Sequence, residues 1–544
     1  MSVRLYTVPK PINEHVLSYA PGSNERKRLK EEIERQSKMV VEIPLIIAGK
    51  EIHTEKKIQL TKPHNHKHVI ANVSIAGEHE LKLSVEAAKQ AKADWSDMPF
   101  EHRASIFLKA AELISTKYRA FLNAATMLGQ SKTSYQAEID SACELADFLR
   151  FNVYFAESIY REQPFNEQGI WNRTDFRPLE GFIVAITPFN FTAIGGNLCS
   201  APALMGNTVV WKPSNTSSLS NYFIMKIFIE AGLPDGVINF VPCEGSNASK
   251  YLLTDTDLGG VHFTGSTGVF NTIWKNIGNN IERYRSYPRL VGELGGKNFV
   301  FAHSSTDIDT LVVALVRGAF EYQGQKCSAA SRAYIPASIW DEVKTKLLAE
   351  IEKIKIGEIE DFTNFMGAVI DEKAFDRITS YIDEARKSDD TEVLCGNYDK
   401  TTGWFISPTV ILTKNPNYRT MKDELFGPVL TIYIYEDKDF LDALVYCNTG
   451  SNYALTGAIF AKDRKVITYM EKALSSAAGN FYINDKPTGA VVGQQPFGGS
   501  RSSGTNDKAG SALNLYRWTC LRTIKETFTA PTRVEYPFMS KEDI

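Results

Sequence analysis

Two side chains of this 544-residue sequence have the types needed for covalent chemistry on a carbonyl group. Cys327 lies in EYQGQKCSAASR after an apolar helical pattern, and Glu293 lies in VGELGGKN before a Gly-Gly pair. A thiolate is a strong nucleophile, and a carboxylate in apolar surroundings has a raised pKa that suits a general base. We expect Lys326, or backbone N–H groups at a helix start, to favour the Cys327 thiolate. Taken alone, each residue is also compatible with a structural role, as a buried thiol or a solvated carboxylate.

Asn190 has the type and setting of an oxyanion donor. The segment ITPFNFT at 186–192 indicates a strand that runs into a proline turn and presents Asn190 between two phenylalanines. One amide donor at a developing oxyanion contributes about 2.7–4 kcal/mol in known cases. The alternative is a loop asparagine that caps its own backbone.

Three further segments could bind a nucleotide. In VHFTGSTGVF a strand ends at Gly265 and Ser266 before a helix, which offers N–H groups and a helix dipole to a phosphate. This spacing differs from GxGxxG and is also compatible with an ordinary capped turn. Lys212 ends a buried strand in WKPSN, and Glu424 precedes a Phe-Gly-Pro turn in DELFGPV. Either could be a surface charge.

The elements that must position these residues follow from hydrophobic periodicity. Residues 1–75 are expected to form an irregular arm with one short charged helix near 25–38. From Glu80 to about Tyr160 the apolar spacing predicts amphipathic helices. Short apolar strands alternate with helices after Gly181 and again after Asn298, which predicts two parallel sheets in an α/β fold. The C-terminal segment NLYRWTCLRTIKETF alternates like an edge strand, and such strands often pair with another subunit.

Composition and charge exclude several classes. Lys and Arg number 61 and Asp and Glu 64, so the net charge of -3 argues against a nucleic-acid partner. Seven scattered cysteines without a CxxC pair favour neither disulfides nor a metal site. Residues 181–211 carry no charge, but prolines, glycines and asparagines interrupt them. We therefore expect strand, loop, buried helix and strand there rather than a membrane span. The N-terminus lacks a signal-peptide core, which favours the cytoplasm, with the mitochondrial matrix as the alternative.

Taken together, these motifs resemble the aldehyde dehydrogenase superfamily over nearly the whole chain. The resemblance depends on FTGS, ELGGK, GQKC, E-x-FGP and PFGG in this order. Longer segments are similar to one subfamily, which oxidises L-glutamate 5-semialdehyde in the second step of proline breakdown: FRPLEGFIVAITPFNFTAIGGNL, FEYQGQKCSA and NFYINDKPTGAVVGQQPFGGSRSSGTNDKAG.

The resemblance implies an aldehyde dehydrogenase fold. It implies an N-terminal arm and a Rossmann-like NAD domain in 1–296, with strands of a β-flap near 160–178. It implies an α/β catalytic domain in 297–480. Residues 481–544 would hold a substrate loop and a tail that completes the flap after about 510. A homodimer or a higher homo-oligomer would form through this flap. A functional link to proline dehydrogenase is a further implication.

The resemblance also implies a role for each site residue, with no metal. Cys327 would attack the aldehyde, Asn190 would bind the oxyanion, and Glu293 would activate the hydrolytic water. The implied NAD-binding residues are Lys212, Gly265, Ser266, Glu424, Phe426 and Pro188. The implied substrate residues are Ser328, Gly489, Ala490, Phe191 and Phe497.

The sequence departs from the family pattern at two positions. Many NAD-preferring relatives have a Glu where Asn215 stands, so exclusion of NADP is open. Some members have a Ser in place of Ala490. Three other functions also remain open at this point: another aldehyde dehydrogenase, such as one for succinic semialdehyde; a cofactor-free thiol hydrolase; and a binding protein without catalysis.

Overall fold

The N-terminal region is more regular than the sequence predicts. In the computed structural model, which describes residues 7–541, the charged helix predicted near 25–38 is present. The expectation of an otherwise irregular arm is wrong, because strands fill much of 41–74. Most are only three residues long, too short for a period of two to be visible in the sequence. These first elements are α1 (Asn24–Ser37), β1 (Val41–Ile43), β2 (Leu45–Ile47), β3 (Lys50–Ile52), β4 (Lys57–Lys62) and β5 (Asn65–Ser74).

A helical layer follows, as the apolar spacing after Glu80 predicts. The second long helix buries one face, which includes Phe107, Ala111 and Ile114, whereas the helix after it is buried on all sides from Leu122 to Gln130. Residues Glu138–Glu144 form a π-helix that continues directly into the last helix. The helices are α2 (Glu78–Asp97), α3 (Phe100–Ser115), α4 (Arg119–Gln130), α5 (Ser134–Ala137) and α6 (Leu145–Tyr160).

The first large sheet has seven strands in the order β11-β10-β7-β8-β9-β2-β3. Strands β7 to β11 are parallel where they pair, and β2 and β3 add an antiparallel edge. The uncharged stretch 181–211 forms β7, a loop, α7 and β8, as predicted. The new elements are β6 (Ile170–Pro178), β7 (Phe182–Ile186), α7 (Thr192–Leu204), β8 (Val209–Lys212), α8 (Ser218–Ala231), β9 (Ile238–Phe240), α9 (Gly245–Asn247), β10 (Leu258–Thr264), α10 (Thr267–Asn279) and β11 (Arg289–Glu293).

No helix within residues 7–541 combines the length and the apolar character that crossing a membrane requires.

The second large sheet has the order β14-β17-β18-β13-β12-β20-β21 and is parallel except at β14. Its elements are β12 (Asn298–Ala302), α11 (Ile308–Phe320), β13 (Ala330–Pro336), α12 (Ala337–Glu352), α13 (Glu372–Lys387), β14 (Thr391–Cys395), β15 (Tyr398–Asp399), β16 (Phe405–Ile406), β17 (Thr409–Thr413), α14 (Arg419–Lys422), β18 (Val429–Tyr435), α15 (Phe440–Thr449), β19 (Tyr453–Ala454), β20 (Thr456–Phe460), α16 (Arg464–Ala473) and β21 (Asn480–Ile483). The chain passes from the first sheet to the second between Glu293 and Asn298. The predicted division into 1–296, 297–480 and 481–544 stays a prediction.

The apolar segment FMGAVI at 365–370 forms no strand, although its composition favours one. Its backbone is bound partly by other backbone groups and partly by side chains. The N–H of Gly367 donates to Oε1 of Gln323 at 3.1 Å, and the N–H of Ile370 donates to Oε1 of Gln325 at 2.9 Å. Side chains from the loop before Cys327 thus take the place of a neighbouring strand.

The C-terminal elements are β22 (Ser500–Arg501), α17 (Ala512–Tyr516) and β23 (Thr519–Thr527). Strand β23 pairs antiparallel with β6 from Thr519↔Pro178 to Thr527↔Ile170 and forms a separate two-stranded ribbon. Apolar side chains remain exposed on and beside this ribbon, including Trp171, Leu521 and Phe528. Such a ribbon leaves both of its outer edges and much apolar surface uncovered in the single chain.

Candidate active site

The carboxyl ends of four parallel strands bring the predicted residues of the first sheet to one edge. Strand β11 ends at Glu293, which is in register with Thr264 at the end of β10. The N–H of Gly265 donates to the carbonyl of Glu293 at 3.2 Å. Strands β7 and β8 pair Ile186 with Lys212, so the segment from Pro188 to Asn190 begins at the same edge. Ligands of open α/β sheets bind at this edge.

The turn before Cys327 has a strained backbone. Tyr322, Gln323 and Gly324 have φ angles of 51°, 56° and 66°, a left-handed conformation that non-glycine residues rarely adopt. A Cβ on Gly324 would lie 2.3 Å from the carbonyl oxygen of Gly427, so only glycine fits. The Gln323 amide secures the turn by donating to the carbonyls of Ser131 at 3.0 Å and Ala368 at 2.7 Å. Backbone strain held by its surroundings is typical of functional sites.

After this turn, the backbone of Cys327 is fixed from the second sheet. Nδ2 of Asn298 donates to the carbonyl oxygens of Cys327 at 2.7 Å and Ala329 at 2.8 Å. Asn298 begins β12 and follows Glu293 by five residues. The short link between the two sheets therefore holds the nucleophile candidate beside the base candidate.

Cys327 and Glu293 line one cavity of about 830 Å³. The predicted substrate residues Ser328, Gly489, Ala490, Phe191 and Phe497 line it as well, so the structure brings this set together. Oγ of Ser328 lies 2.8 Å from Oγ1 of Thr488, which ties the Cys327 segment to the loop of residues 486–495. Gly489 has a φ of 98°, which suits glycine at this point of the loop.

Asn190 is buried, and its amide contacts the loop that carries Cys327. Nδ2 donates to the carbonyl of Gln325 at 3.0 Å, two residues before the thiol. A side-chain amide has two N–H donors, so the second remains available to another acceptor. This long-range contact disfavours a purely local cap, whereas Asn190 itself is not among the residues that line the large cavity, and its oxyanion role stays a prediction.

The predicted nucleotide residues Lys212, Gly265 and Ser266 lie at or just after the ends of β8 and β10. Lys212 and Asn215 line a second cavity of about 470 Å³, and Oδ1 of Asn215 is buried without a partner in the described residues. Ser266 caps α10, accepting from the N–H of Val269 at 3.4 Å. The N–H groups of Thr267 and Gly268 make no hydrogen bond within residues 7–541. These free donors at a helix start suit a phosphate.

Glu424 is partly buried rather than fully exposed. Its Oε1 accepts from the N–H of Gly296 at 3.0 Å, three residues after Glu293. Phe426 has a φ of 53°, and its ring meets that of Phe189 edge-on at 5.7 Å, next to Pro188 in sequence. Glu424 is therefore not a freely solvated surface charge.

Burial sets the electrostatics of the carboxyl groups. It raises the pKa of Glu293 to about 8, with a further contribution from Asp507. It also raises the pKa of Glu144 to about 8 and that of Glu424 to about 7. Oε1 of Glu293 has no hydrogen-bond partner among the described residues, so the carboxyl is available to a water molecule or a substrate. A raised pKa near the working pH suits a general base.

The predicted effect of Lys326 on Cys327 is wrong. Lys326 is buried and its Nζ lies 3.2 Å from Oε2 of Glu321, which engages its charge. Cys327 lies in a turn rather than at a helix start. Burial raises the pKa of the Cys327 thiol, and the carboxyl groups of Glu293, Glu424 and Glu144 raise it further.

Comparison with known proteins agrees with this geometry. A sequence model of the aldehyde dehydrogenase family matches residues 51–524. This chain belongs to the aldehyde dehydrogenase family.

Its relatives within that family are similar over their full length. The mitochondrial delta-1-pyrroline-5-carboxylate dehydrogenase of Dictyostelium discoideum is 52% identical over 536 residues, covering 98% of this chain and 96% of the relative. The mitochondrial enzyme of the same name from Mus musculus is 45% identical, covering 97% and 95%. The crystal structure of the Mycobacterium tuberculosis delta-pyrroline-5-carboxylate dehydrogenase bound with NAD has a TM-score of 0.96 and 50% identity, covering 99% of this chain and 100% of that one.

Sequence reasoning missed several residues of this aldehyde dehydrogenase site. Glu144 lines the large cavity at the end of the π-helix. Four residues earlier, Asp140 forms a buried ion pair with Lys132, which lies over the Phe191 ring with Nζ 4.0 Å from its centroid. The available signal was the set of three acidic residues in EIDSACE, inside a helix with a strongly apolar face. Charged side chains are rarely buried without a partner, so acidic residues there indicate paired or functional groups.

Proposed function

We propose that this protein oxidises L-glutamate 5-semialdehyde to L-glutamate, with NAD as the hydride acceptor, in the second step of proline breakdown. The single observation that carries the proposal is the shared cavity, in which Cys327 and Glu293 lie together with groups suited to an amino acid. The names of relatives at 45–52% identity over nearly their whole length support the same reaction.

The cavity offers a partner to both charged ends of the substrate. The N–H groups of Gly489 and Ala490 make no hydrogen bond within the described residues and suit the α-carboxylate. Glu144 suits the α-ammonium group, since it is a partly buried carboxyl that lines the same cavity. Phe191 and Phe497 suit the short aliphatic chain between them. Succinic semialdehyde lacks the ammonium group and would leave Glu144 without a partner.

The chemistry on the chain's own residues takes place at one sulfur. The Cys327 thiolate forms a C–S bond with the aldehyde carbon, and the thiol proton passes to a base. The oxyanion accepts hydrogen bonds from the Asn190 amide and the Cys327 N–H. Loss of a hydride leaves a thioester. Glu293 then removes a proton from water, the water oxygen attacks the thioester, and glutamate leaves as the thiol re-forms.

Bound NAD supplies the hydride acceptor for this oxidation. The residues fit the dinucleotide. The free N–H groups at the start of α10 suit its pyrophosphate, and Lys212 and Glu424 suit its ribose hydroxyls. The orphaned Oδ1 of Asn215 suits a donor such as an adenosine ribose hydroxyl. Pro188 and Phe426 would shape the space beside the nicotinamide.

Assembly, location and partners are parts of the same proposal. The ribbon of β6 and β23, with its exposed apolar side chains, supports a homodimer or a higher homo-oligomer. The names of two relatives support the mitochondrial matrix over the cytoplasm. Proline dehydrogenase would supply the substrate, because its product opens by hydrolysis to the semialdehyde. A domain boundary at residue 296 would assign the first large sheet to NAD binding and the second large sheet to the Cys327 nucleophile.

A steady-state assay tests the proposal. NADH formation is measured with L-glutamate 5-semialdehyde and with succinic semialdehyde under identical conditions. We expect the larger kcat/KM with the first substrate, and glutamate as the product. A larger kcat/KM with succinic semialdehyde would instead favour another aldehyde dehydrogenase. No NADH from either aldehyde, together with hydrolysis of an activated ester in the absence of NAD, would favour a thiol hydrolase.

A further inference from the structure

The segment before α1 forms part of the wall of the large cavity. Residues 13–21 have no regular secondary structure, and Asn13, Glu14, Val16 and Tyr19 line the cavity. The segment is firmly attached at two points. Glu14 forms ion pairs with Arg119 at 2.7 Å and Arg150 at 2.6 Å. A buried network further along binds the segment to Glu138, which accepts from the N–H of Leu17 and the hydroxyl of Tyr19.

Asn13 uses both ends of its amide to join two separate parts of the cavity. Its Nδ2 donates to Oδ2 of Asp147 at 2.8 Å and to the carbonyl of Val492 at 2.9 Å. Its Oδ1 accepts from Nε2 of Gln494 at 2.9 Å. The other carboxylate oxygen of Asp147, Oδ1, accepts from the N–H of Glu14 at 2.7 Å, which holds the side chain in place. An amide has two donor hydrogens, and here both have a partner.

The two parts that Asn13 joins carry the two groups proposed to bind the substrate's charges. Asp147 lies on α6, three residues after Glu144. Val492 and Gln494 belong to the loop of residues 486–495, which presents the N–H groups of Gly489 and Ala490. The distance between the ammonium partner and the carboxylate partner therefore depends on a side chain more than 470 residues away in sequence from the loop.

We propose that Asn13 is a positioning residue for substrate specificity, which sets the loop of residues 486–495 against the Glu144 helix. The inference rests on the proposed function, because it concerns the α-carboxylate and α-ammonium of that substrate. Asn13 acts through the loop and touches no reacting atom. Its loss changes recognition of an amino-acid aldehyde and leaves recognition of a plain aldehyde unaffected.

The test compares Asn13→Ala with the wild-type full-length protein on two substrates, L-glutamate 5-semialdehyde and butanal, which lacks both charged groups. We expect the KM for the semialdehyde to rise about tenfold, as the loss of several hydrogen bonds at a positioned loop predicts. The values of kcat, the KM for NAD and the KM for butanal should change less than about twofold. Ile12→Ala is the matched control, since Ile12 is 80% exposed and adjacent in sequence.

Two further variants separate positioning from simple destabilisation. Asn13→Asp should raise the KM for the semialdehyde more than Asn13→Ala, because a carboxylate would face Asp147. Gln494 is an exposed residue. Gln494→Ala should raise the KM for the semialdehyde by about twofold in the wild type and not at all in the Asn13→Ala background, because both substitutions remove the same hydrogen bond. Amide hydrogen exchange in residues 488–495 should be faster in Asn13→Ala, with unchanged exchange around Cys327.

The outcomes distinguish the two proposals. An equal loss on both aldehydes, or a KM for the semialdehyde that none of these variants changes, would overturn the role of Asn13 while leaving the proposed function intact. A wild-type protein that does not prefer the semialdehyde to butanal would instead overturn the proposed function itself. If Asn13→Ala does not fold, the Gln494→Ala variant alone tests the role of Asn13. An unchanged KM for the semialdehyde and unchanged amide hydrogen exchange in residues 488–495 of that variant would contradict the inference.

Discussion

Nζ of Lys132 lies 2.6 Å from Oδ2 of Asp140, and both side chains are almost fully buried. The same carboxylate accepts from the N–H groups of Thr192 at 3.0 Å and Ala193 at 2.8 Å, the first residues of α7. Because no local side chain caps α7, this distant carboxylate sets where the helix begins. The ion pair thereby positions Asn190 and Phe191, which immediately precede the helix.

Breaking this pair should destabilise the fold and the site together. Lys132→Met leaves Asp140 as an uncompensated buried charge, which costs about 3–5 kcal/mol in known cases. We expect a loss of this size in the free energy of unfolding, measured by urea denaturation. Lys132→Met combined with Asp140→Asn should recover part of it, because no charge then remains buried. Strictly additive losses would show that the two side chains do not interact.

Removal of the Glu144 carboxylate should weaken binding of the amino-acid substrate. Glu144→Gln should raise the inhibition constant of L-glutamate against butanal oxidation at least about tenfold, since a charged hydrogen bond contributes about 1.5–3 kcal/mol. The KM for butanal should stay nearly constant.

The contribution of Glu144 to glutamate binding should also depend on pH, in a defined direction. Burial raises its pKa to about 8, so at pH 7 the carboxyl is mostly neutral and must lose a proton to pair with an ammonium group. In the wild type, glutamate should therefore bind more tightly as pH rises from about 7 to 8.5. Glutamate binding to the Glu144→Gln variant should not show this pH dependence. Tighter binding at lower pH would contradict the assignment.

Alkylation of Cys327 should be slow at neutral pH. Its thiol pKa lies above the ordinary value because of burial and then of Glu293, so the thiolate fraction increases up to high pH. The rate with iodoacetamide, followed by mass spectrometry of the Cys327 peptide, should rise continuously from about pH 7 to above pH 9.

Glu293→Gln provides the matched comparison for this measurement. The change removes the carboxylate that contributes most, after burial, to the raised thiol pKa. Alkylation at about pH 8.5, where the wild-type carboxyl is largely ionised, should therefore be faster in the variant. The peptide with Cys520 serves as an internal reference. A Cys327 rate that is independent of pH between about 6 and 9 would indicate a thiolate already present.

Much of the fold was predictable because its strands are buried on both faces. A parallel strand such as β7 is a continuous apolar run, and the helices from 78 to 160 have a regular apolar face. The segment at 365–370 has a similar composition but binds Gln323 and Gln325 side chains instead of a strand. Periodicity cannot distinguish these two cases, because the difference lies in tertiary partners.

The candidate site likewise has residues that the sequence could predict and residues that it could not. Cys327, Glu293 and Asn190 belong to motifs that lie at strand ends or after a glycine-rich turn, so their order along the chain was sufficient to propose them as site residues. Lys132 and Asn13 lie in no motif, and their contacts depend on segments up to hundreds of residues away. The predicted direction of the thiol pKa shift was wrong because the sequence shows Lys326 beside Cys327 but neither the burial of the thiol nor the pairing of Lys326 with Glu321.

The most direct test of the account is to trap the acyl group on Cys327. Glu293→Gln should keep the nucleophile while slowing attack of water on the thioester. Mixed with NAD and L-glutamate 5-semialdehyde and quenched in acid, the variant should give a burst of about one NADH per site and a glutamyl adduct on the Cys327 peptide. A burst of NADH with an unmodified Cys327 peptide, or steady turnover at the wild-type rate, would contradict the account.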